Sequence, residues 1–164
     1  MAALAASLVM VVSIAAHAIW QNERTLANGE VVLAELAPVD PRSLMQGDYM
    51  ALRFVIDSHL PSRYEISDAN PMPPFALLNV DEARRAQFAG LSERVAEEPG
   101  SVAMRIRIRD GQPSIGPNAF FFQEGTAATF EAARWGEFRV ARDGKALLTS
   151  LRDADLKVLG EQMR

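Results

Sequence analysis

The sequence contains no cysteine, which excludes zinc–thiolate sites, thiol nucleophiles and disulfide frameworks together. Lysine is almost as scarce: Lys145 and Lys157 are the two in the chain, and the remaining basic charge is arginine. Schiff-base chemistry and amine general bases therefore have two candidates, both in polar surroundings that suit ordinary surface residues. Histidine is limited to His17 and His59. Because His17 lies in the apolar first segment, a two-histidine metal site in the rest of the chain is excluded, and no metal and no cofactor is assigned. A G-x-S-x-G nucleophile turn is missing as well. The net charge of -4 lacks the basic footprint of a nucleic-acid binder, so nucleic acid is not a partner.

Charge is also missing from the first twenty residues. Ala2 to Trp20 are nineteen residues without a formal charge, and a helix of that length spans about 28 Å, close to the hydrocarbon thickness of a bilayer. Trp20 suits an interfacial aromatic belt, and Gln21-Asn22-Glu23-Arg24 begins a polar flank. Residues 1–21 are thus expected to form one transmembrane anchor, and residues 22–164 one domain. The alternative is a cleaved signal peptide, for which Ala16-His17-Ala18 has the small-x-small form, but no basic residues precede the apolar run. His17, three residues from Trp20, reads as a side chain snorkelling to the interface. Arg24 is the nearby basic residue, so charge does not fix the orientation. A lone N-terminal anchor generally holds a domain outside, so this domain is expected on the outer face of the membrane.

Along the domain, Val31 to Leu36 reads as a first strand between Asn28-Gly29 and Pro38. Asp40, Pro41 and Gly47 carry capping signals for a short helical turn over Pro41 to Gln46. A strand follows from Asp48, with Met50, Leu52, Phe54 and Ile56 on its core face and Tyr49, Ala51, Arg53, Val55 and Asp57 opposite. Residues 60–74, with Pro61, Pro71, Pro73 and Pro74, read as a surface loop. Phe75 to Val80 is a strand, and Asp81-Glu82 followed by apolar residues to Val95 predicts helical turns. Val102 to Arg109 alternates, setting Arg105, Arg107 and Arg109 against Met104, Ile106 and Ile108. Asp110-Gly111 reads as a turn, Ala119 to Gln123 as a strand and Thr126 to Arg134 as helical. Trp135 to Val140 and Ala146 to Leu151 form a hairpin at Asp143-Gly144, and Asp153 to Glu161 predicts a final helix. The sum is an α+β fold, a mostly antiparallel β domain of about seven strands with short helices.

The stretch Asp40-Pro41-Arg42-Ser43-Leu44-Met45-Gln46-Gly47-Asp48-Tyr49-Met50-Ala51-Leu52-Arg53-Phe54 closely resembles the signature of the GDYxxLxY family of membrane-anchored bacterial proteins. Phe120 to Gly125, Ala133 to Val140 and the following hairpin strand resemble its later segments. Phe54 stands where the pattern has tyrosine, so no hydroxyl role exists there. The resemblance implies an accessory or interaction protein of the cell envelope with no assigned catalytic activity, held by a single pass in the bacterial inner membrane with its domain in the periplasm, and a multi-pass membrane protein as its partner. No small-molecule ligand is implied.

The binding candidates are Arg42, Gly47, Asp48, Tyr49 and Arg53, grouped around a turn that brings a carboxylate and a phenol to the mouth of a strand. The same Gly47-Asp48-Tyr49 turn would serve the competing reading, a small-molecule or peptide-handling hydrolase. Asp57, His59, Arg63 and Glu65 invite a general-base reading centred on His59, against a solvated loop histidine. The arginine face at 105, 107 and 109 could meet anionic lipid or an acidic partner, or simply guard a strand edge. No catalytic residue is assigned.

Overall fold

The computed structural model describes residues 2–38, 45–46, 49–62, 71–109 and 111–161, with backbone alone for 2–5, 45–46 and 109. Helix α1 covers Ala2–Asn28. Strands β1 (Glu30–Glu35), β2 (Met45–Gln46) and β3 (Tyr49–Ala51) lead into a 3-10 turn, Val55–His59. Then come β4 (Phe75–Val80), β5 (Ala86–Ser92), β6 (Ser101–Arg105), β7 (Arg107–Arg109), β8 (Gln112–Ser114) and β9 (Ala119–Phe121). A short helix α2 (Ala127–Phe130) precedes β10 (Trp135–Val140), β11 (Ala146–Arg152) and β12 (Val158–Glu161).

Among the described residues every ladder is antiparallel, in four sheets ordered β1-β10-β11-β12, β2-β3-β9, β5-β4-β6 and β7-β8. The α+β expectation therefore holds. The large sheet joins the first strand to the last three, and its inner face carries Val32, Phe138, Val140 and Leu151, each nearly or fully buried. Against them pack Leu78, Met104 and Phe120, also fully buried, and Ile115. Two aromatic groups fix this interior. Phe54 meets Phe138 edge-on, with centroids 5.2 Å apart, and Phe130 of α2 lies 5.3 Å from Phe120 and 5.0 Å from Phe122. Edge-on and offset contacts of this kind add to the burial of the rings themselves.

Three expectations are corrected. The strand from Asp48 ends at Ala51, although Met50, Leu52, Phe54 and Ile56 are all buried as the alternation requires. The cause is Asp57, whose Oδ2 accepts the Phe54 amide at 3.2 Å and curls the chain into the 3-10 turn. The helical turns expected after Asp81 are instead strand β5, because Asp81 folds back on its own chain: Oδ1 accepts the Arg85 amide at 2.8 Å and Oδ2 the Arg85 Nε at 2.8 Å. Arg84 adopts φ of 65°, which no helix interior tolerates. The final helix is likewise a hairpin ending in β12. Asp153 Oδ1 accepts the amides of Asp155 and Lys157, and Leu156 takes φ of 64°. In each case a short acidic side chain satisfied nearby amides and made a turn, in the first where alternation favoured a continued strand and in the other two where propensity favoured a helix.

Of the turn expected over Pro41 to Gln46, residues 41–44 lie outside the described residues, and Met45 and Gln46 are paired with Met50 and Tyr49 as strand, so a helix does not reach Gln46. The proline-rich loop is described at 60–62 and 71–74, where no helix or strand forms. The alternating arginine strand breaks at Ile106, and Ile108, expected inside, is 60 % exposed on β7.

α1 divides into two halves. Near its end, Thr25 is buried, and the helix contacts β10 and β11. Gly29 closes it by donating its backbone N–H to the Thr25 carbonyl at 2.8 Å, and a Cβ there would stand 3.1 Å from the Val140 nitrogen, so glycine permits the close join into β1. The other half leaves the domain. Leu8, Val9, Met10, Val11, Val12, Ile14, Ile19 and Trp20 are 57 to 65 % exposed all around the helix. Among the described residues no helix is long and apolar enough to cross a membrane.

Candidate functional site

Of the binding candidates, Arg42, Gly47 and Asp48 lie outside the described residues. Tyr49 is half-buried and pairs across the ladder with Phe121, their rings 5.9 Å apart; Phe121 is 52 % exposed. Arg53 is exposed beyond the end of β3, and its carbonyl accepts the Ala37 amide at 2.9 Å. The two apolar signature positions are core, as expected. Leu52 is buried, and Phe54 fills a slot so narrow that a Cβ on Gly116 or Gly136 would come within 2.5 and 2.9 Å of its ring. Phenylalanine without a hydroxyl suits that slot, which is bounded by rings and glycines.

Asp57 is the best-coordinated carboxylate near the signature. Besides the Phe54 amide, it accepts the Ser114 hydroxyl at 2.9 Å and the Ile115 amide at 3.0 Å, so it ties the 3-10 turn to the segment after β8. Burial pushes its carboxyl up from 3.8, and these donors and the Arg53 charge pull the other way. Every oxygen contact is to a group that holds the fold in place, which makes Asp57 a structural tie. His59 packs on Phe88, with ring centroids 5.2 Å apart, beside a cavity of about 260 Å³ that Glu35 also lines. Ser58 Oγ lies 3.2 Å from His59 Nδ1 but donates to the Val55 carbonyl at 2.7 Å, so this adjacent pair is not arranged as nucleophile and base.

Of the arginine face, Arg105 and Arg107 are tied to the fold, and the Arg109 side chain lies outside the described residues. Arg105 lies over the Phe75 ring at 5.4 Å and donates to the Asp143 carbonyl, and Arg107 donates to the Ala146 carbonyl. Among the described residues, no group of three or more His, Asp and Glu side chains could hold a metal ion.

A cleft that the sequence reading missed lies between the docked half of α1 and the outer face of the large sheet, with a volume of about 600 Å³. Ile19, Asn22, Glu23 and Leu26 form its helix wall. Its floor follows from alternation along β10, which turns Gly136, Phe138 and Val140 inward and Glu137 and Arg139 outward. Glu137 is buried there, and its Oε2 accepts Ser150 Oγ at 3.1 Å and Arg152 Nε at 2.6 Å. Arg152 also donates to the Leu156 carbonyl at 2.6 Å, so its guanidinium is held on two sides. Opposite Glu137 the ladder shifts register, and Thr149 donates to the Glu137 carbonyl at 3.1 Å. Arg139 remains in the cleft with one donor on the Gly29 carbonyl at 3.4 Å. Leu147, Val158 and Glu161 complete the rim. The legible signal was the charged pair Glu137 and Arg139 on the face opposite Phe138; what covers that face was not legible.

The profile of the GDYXXLXY protein family matches residues 11–151. The chain belongs to that family. Within this GDYXXLXY protein the match runs from Val11 in α1 to Leu151 in β11, so it takes in most of the helix, the signature and the cleft residues from Ile19 to Ser150, while Arg152, Val158 and Glu161 lie beyond it. No curated protein and no solved structure matches the chain.

Proposed function

We propose that this GDYXXLXY protein is a membrane-anchored accessory protein of the bacterial envelope, whose β-rich domain binds another, multi-pass membrane protein. The observation that carries the reading is the outer half of α1, where large apolar side chains are more than half exposed on every side of one helix. Burying such a surface is worth roughly 25 cal/mol per Å² of apolar area, so water is its least favourable surrounding. A helix apolar all round is at home in a lipid or protein interior. His17 fits this placement: the Gln21 side-chain amide lies 2.8 Å from its Nε2 and its ring is 6.1 Å from Trp20, so its polar edge is turned toward the charged end of the helix. Arg24 lies over the Trp20 ring at 5.4 Å, a pairing suited to an interface. Ser7, Ser13 and His17 dilute the apolarity of the segment, and neighbouring helices of a membrane partner would meet those groups more readily than lipid does.

On the domain, the partner surface is the signature turn with its described neighbours: the half-buried Tyr49 and the exposed Phe121 form an aromatic pair, with Arg53 past the end of the same strand and Arg42, Gly47 and Asp48 preceding it in sequence. Aromatic and arginine side chains are the usual anchors of protein interfaces. The test is to express the full chain with a C-terminal tag, crosslink intact cells and identify what copurifies from solubilised membranes. A multi-pass membrane protein captured by the wild type, and lost in Tyr49→Ala while the variant stays membrane-bound, is the expected result. Recovery of the chain in the soluble fraction would overturn the anchor, and unchanged capture by Tyr49→Ala and Arg53→Ala would overturn the surface.

A further inference from the structure

The smaller cavity, of about 260 Å³, lies where β1 and the β5-β4-β6 sheet diverge. Leu33 is bridged in parallel to Arg85, with its amide on the Arg84 carbonyl at 2.8 Å, whereas Leu36 is bridged to Phe54. Glu35, between those two bridges, lines the gap, and the 3-10 turn and the first half of β5 close around it. These walls are fixed by contacts of their own. Asp57 ties the turn to Ser114 and Ile115, and the His59 ring packs on Phe88.

The lining is rich in acceptors and contains no arginine or lysine. Glu35 brings a carboxylate, and among the described residues no ion pair includes it. The neighbouring basic residues are engaged elsewhere, Arg84 with Glu30 at 3.3 Å and Arg85 with Asp81 at 2.8 Å. Ser58 sets the chemistry of His59. Its one hydroxyl proton goes to the Val55 carbonyl at 2.7 Å, so toward His59 Nδ1, 3.2 Å away, Oγ offers a lone pair and the ring nitrogen is the donor. The neutral imidazole then keeps its acceptor at Nε2. Gln87 adds an amide oxygen, and Phe88 a ring whose face attracts cations. Carboxylate, imidazole nitrogen and amide oxygen make three acceptors, and a primary ammonium carries three donors. The apolar part of the lining, Val55, Ile56 and Ala86, suits a short alkyl stem. The volume matches about eight or nine water molecules of the liquid, which leaves room for one.

We propose that this cavity binds a primary ammonium group on a short alkyl chain, with Glu35 as its counter-ion and His59 Nε2 and the Gln87 amide oxygen as its neutral acceptors. The signature segment builds the site, since Phe54, its last residue, begins the turn that carries His59. Every lining residue belongs to the β-rich domain, so the inference stands without the anchored reading of α1. A free amine and a lysine side chain both present the group.

The test uses the full chain, with nitrogen-15-labelled histidine, in nonionic detergent micelles at about pH 8, above the ordinary titration range of imidazole. His59→Asn assigns the ring signals. The expected result is a His59 ring protonated at Nδ1, and a saturable shift of its Nε2 resonance with n-butylammonium that neither butyrate nor n-butanol produces. Glu35→Gln should weaken that titration about fivefold, the scale of an exposed ion pair. An equal response to butylammonium and butanol would reduce the cavity to an apolar dent and overturn the proposal. A ring protonated at Nε2, or a titration indifferent to Glu35→Gln, would overturn it as well. Glu35 sits at an exposed strand end, and if its variant loses the circular-dichroism melt, the three probes on the wild type carry the test alone. Nα-acetyl-lysine N-methylamide separates the sources. Binding as tight as that of butylammonium supports a lysine side chain of a polypeptide, whereas its exclusion supports a free amine.

Discussion

The two faces of strand β10 are built by opposite rules. Inward, Gly136, Phe138 and Val140 meet rings and aliphatic side chains at contact distance, and Phe138 is fully buried. Outward, Glu137 and Arg139 face a cleft, with charges satisfied by hydrogen bonds rather than by packing. One strand thus shows how alternation delivers stability on one side and a chemically addressed surface on the other. A face built by packing fails when volume is removed, and a face built by charge fails when a partner is left alone.

The comparison predicts a graded set of losses. Phe138→Ala should cost about 3 to 5 kcal/mol in denaturant unfolding followed by tryptophan fluorescence, since it leaves a cavity beside Phe54. Glu137→Gln should cost about 1 to 3 kcal/mol by stranding the Arg152 guanidinium, and adding Arg152→Met should restore part of it. Equal costs for Phe138→Ala and Glu137→Gln would erase the distinction between the faces. Asp57→Asn, where a carboxylate serves the packed side, should also cost about 1 to 3 kcal/mol at neutral pH, because the amide cannot accept all three donors. Its pH dependence has a definite sign. Burial raises the folded-state carboxyl above its unfolded value of 3.8, so the folded chain binds more protons in that window and the contribution of Asp57 is lost as pH rises through it. The gap between wild type and Asp57→Asn should therefore widen as the pH is lowered from 7 toward 4, and a constant gap would contradict the burial. Phe121→Ser, on an exposed ring, should stay within about 0.5 kcal/mol of wild type in unfolding and yet lose the crosslinked partner.

Around the signature, alternation was the reliable guide, although it failed at Ile108. It placed Met50, Leu52, Phe54 and Ile56 in the core even where the expected strand gave way to a 3-10 turn, because burial followed the apolar residues whichever backbone carried them. The hairpin at Asp143-Gly144 was equally legible, with Gly144 at φ of 81° in the turn. Helices were misread where Asp81 and Asp153 closed turns through their own side chains, since the same residues signal a helix start when their amide partners belong to one. Of the candidate site, Tyr49 was placed near a strand mouth by sequence, while its partner Phe121, seventy-two positions on, follows from register alone.

By itself the sequence determined the family, the antiparallel α+β character, the apolar helix and the residues of the core, all of which depend on local composition and on periods of two and 3.6. Tertiary structure decided that Glu137 meets Arg152, that Arg139 caps the end of α1 and that a cleft opens between that helix and the sheet. Those contacts join residues far apart in the chain, and their geometry exists only once Gly29 has set the angle at which the helix meets the first strand.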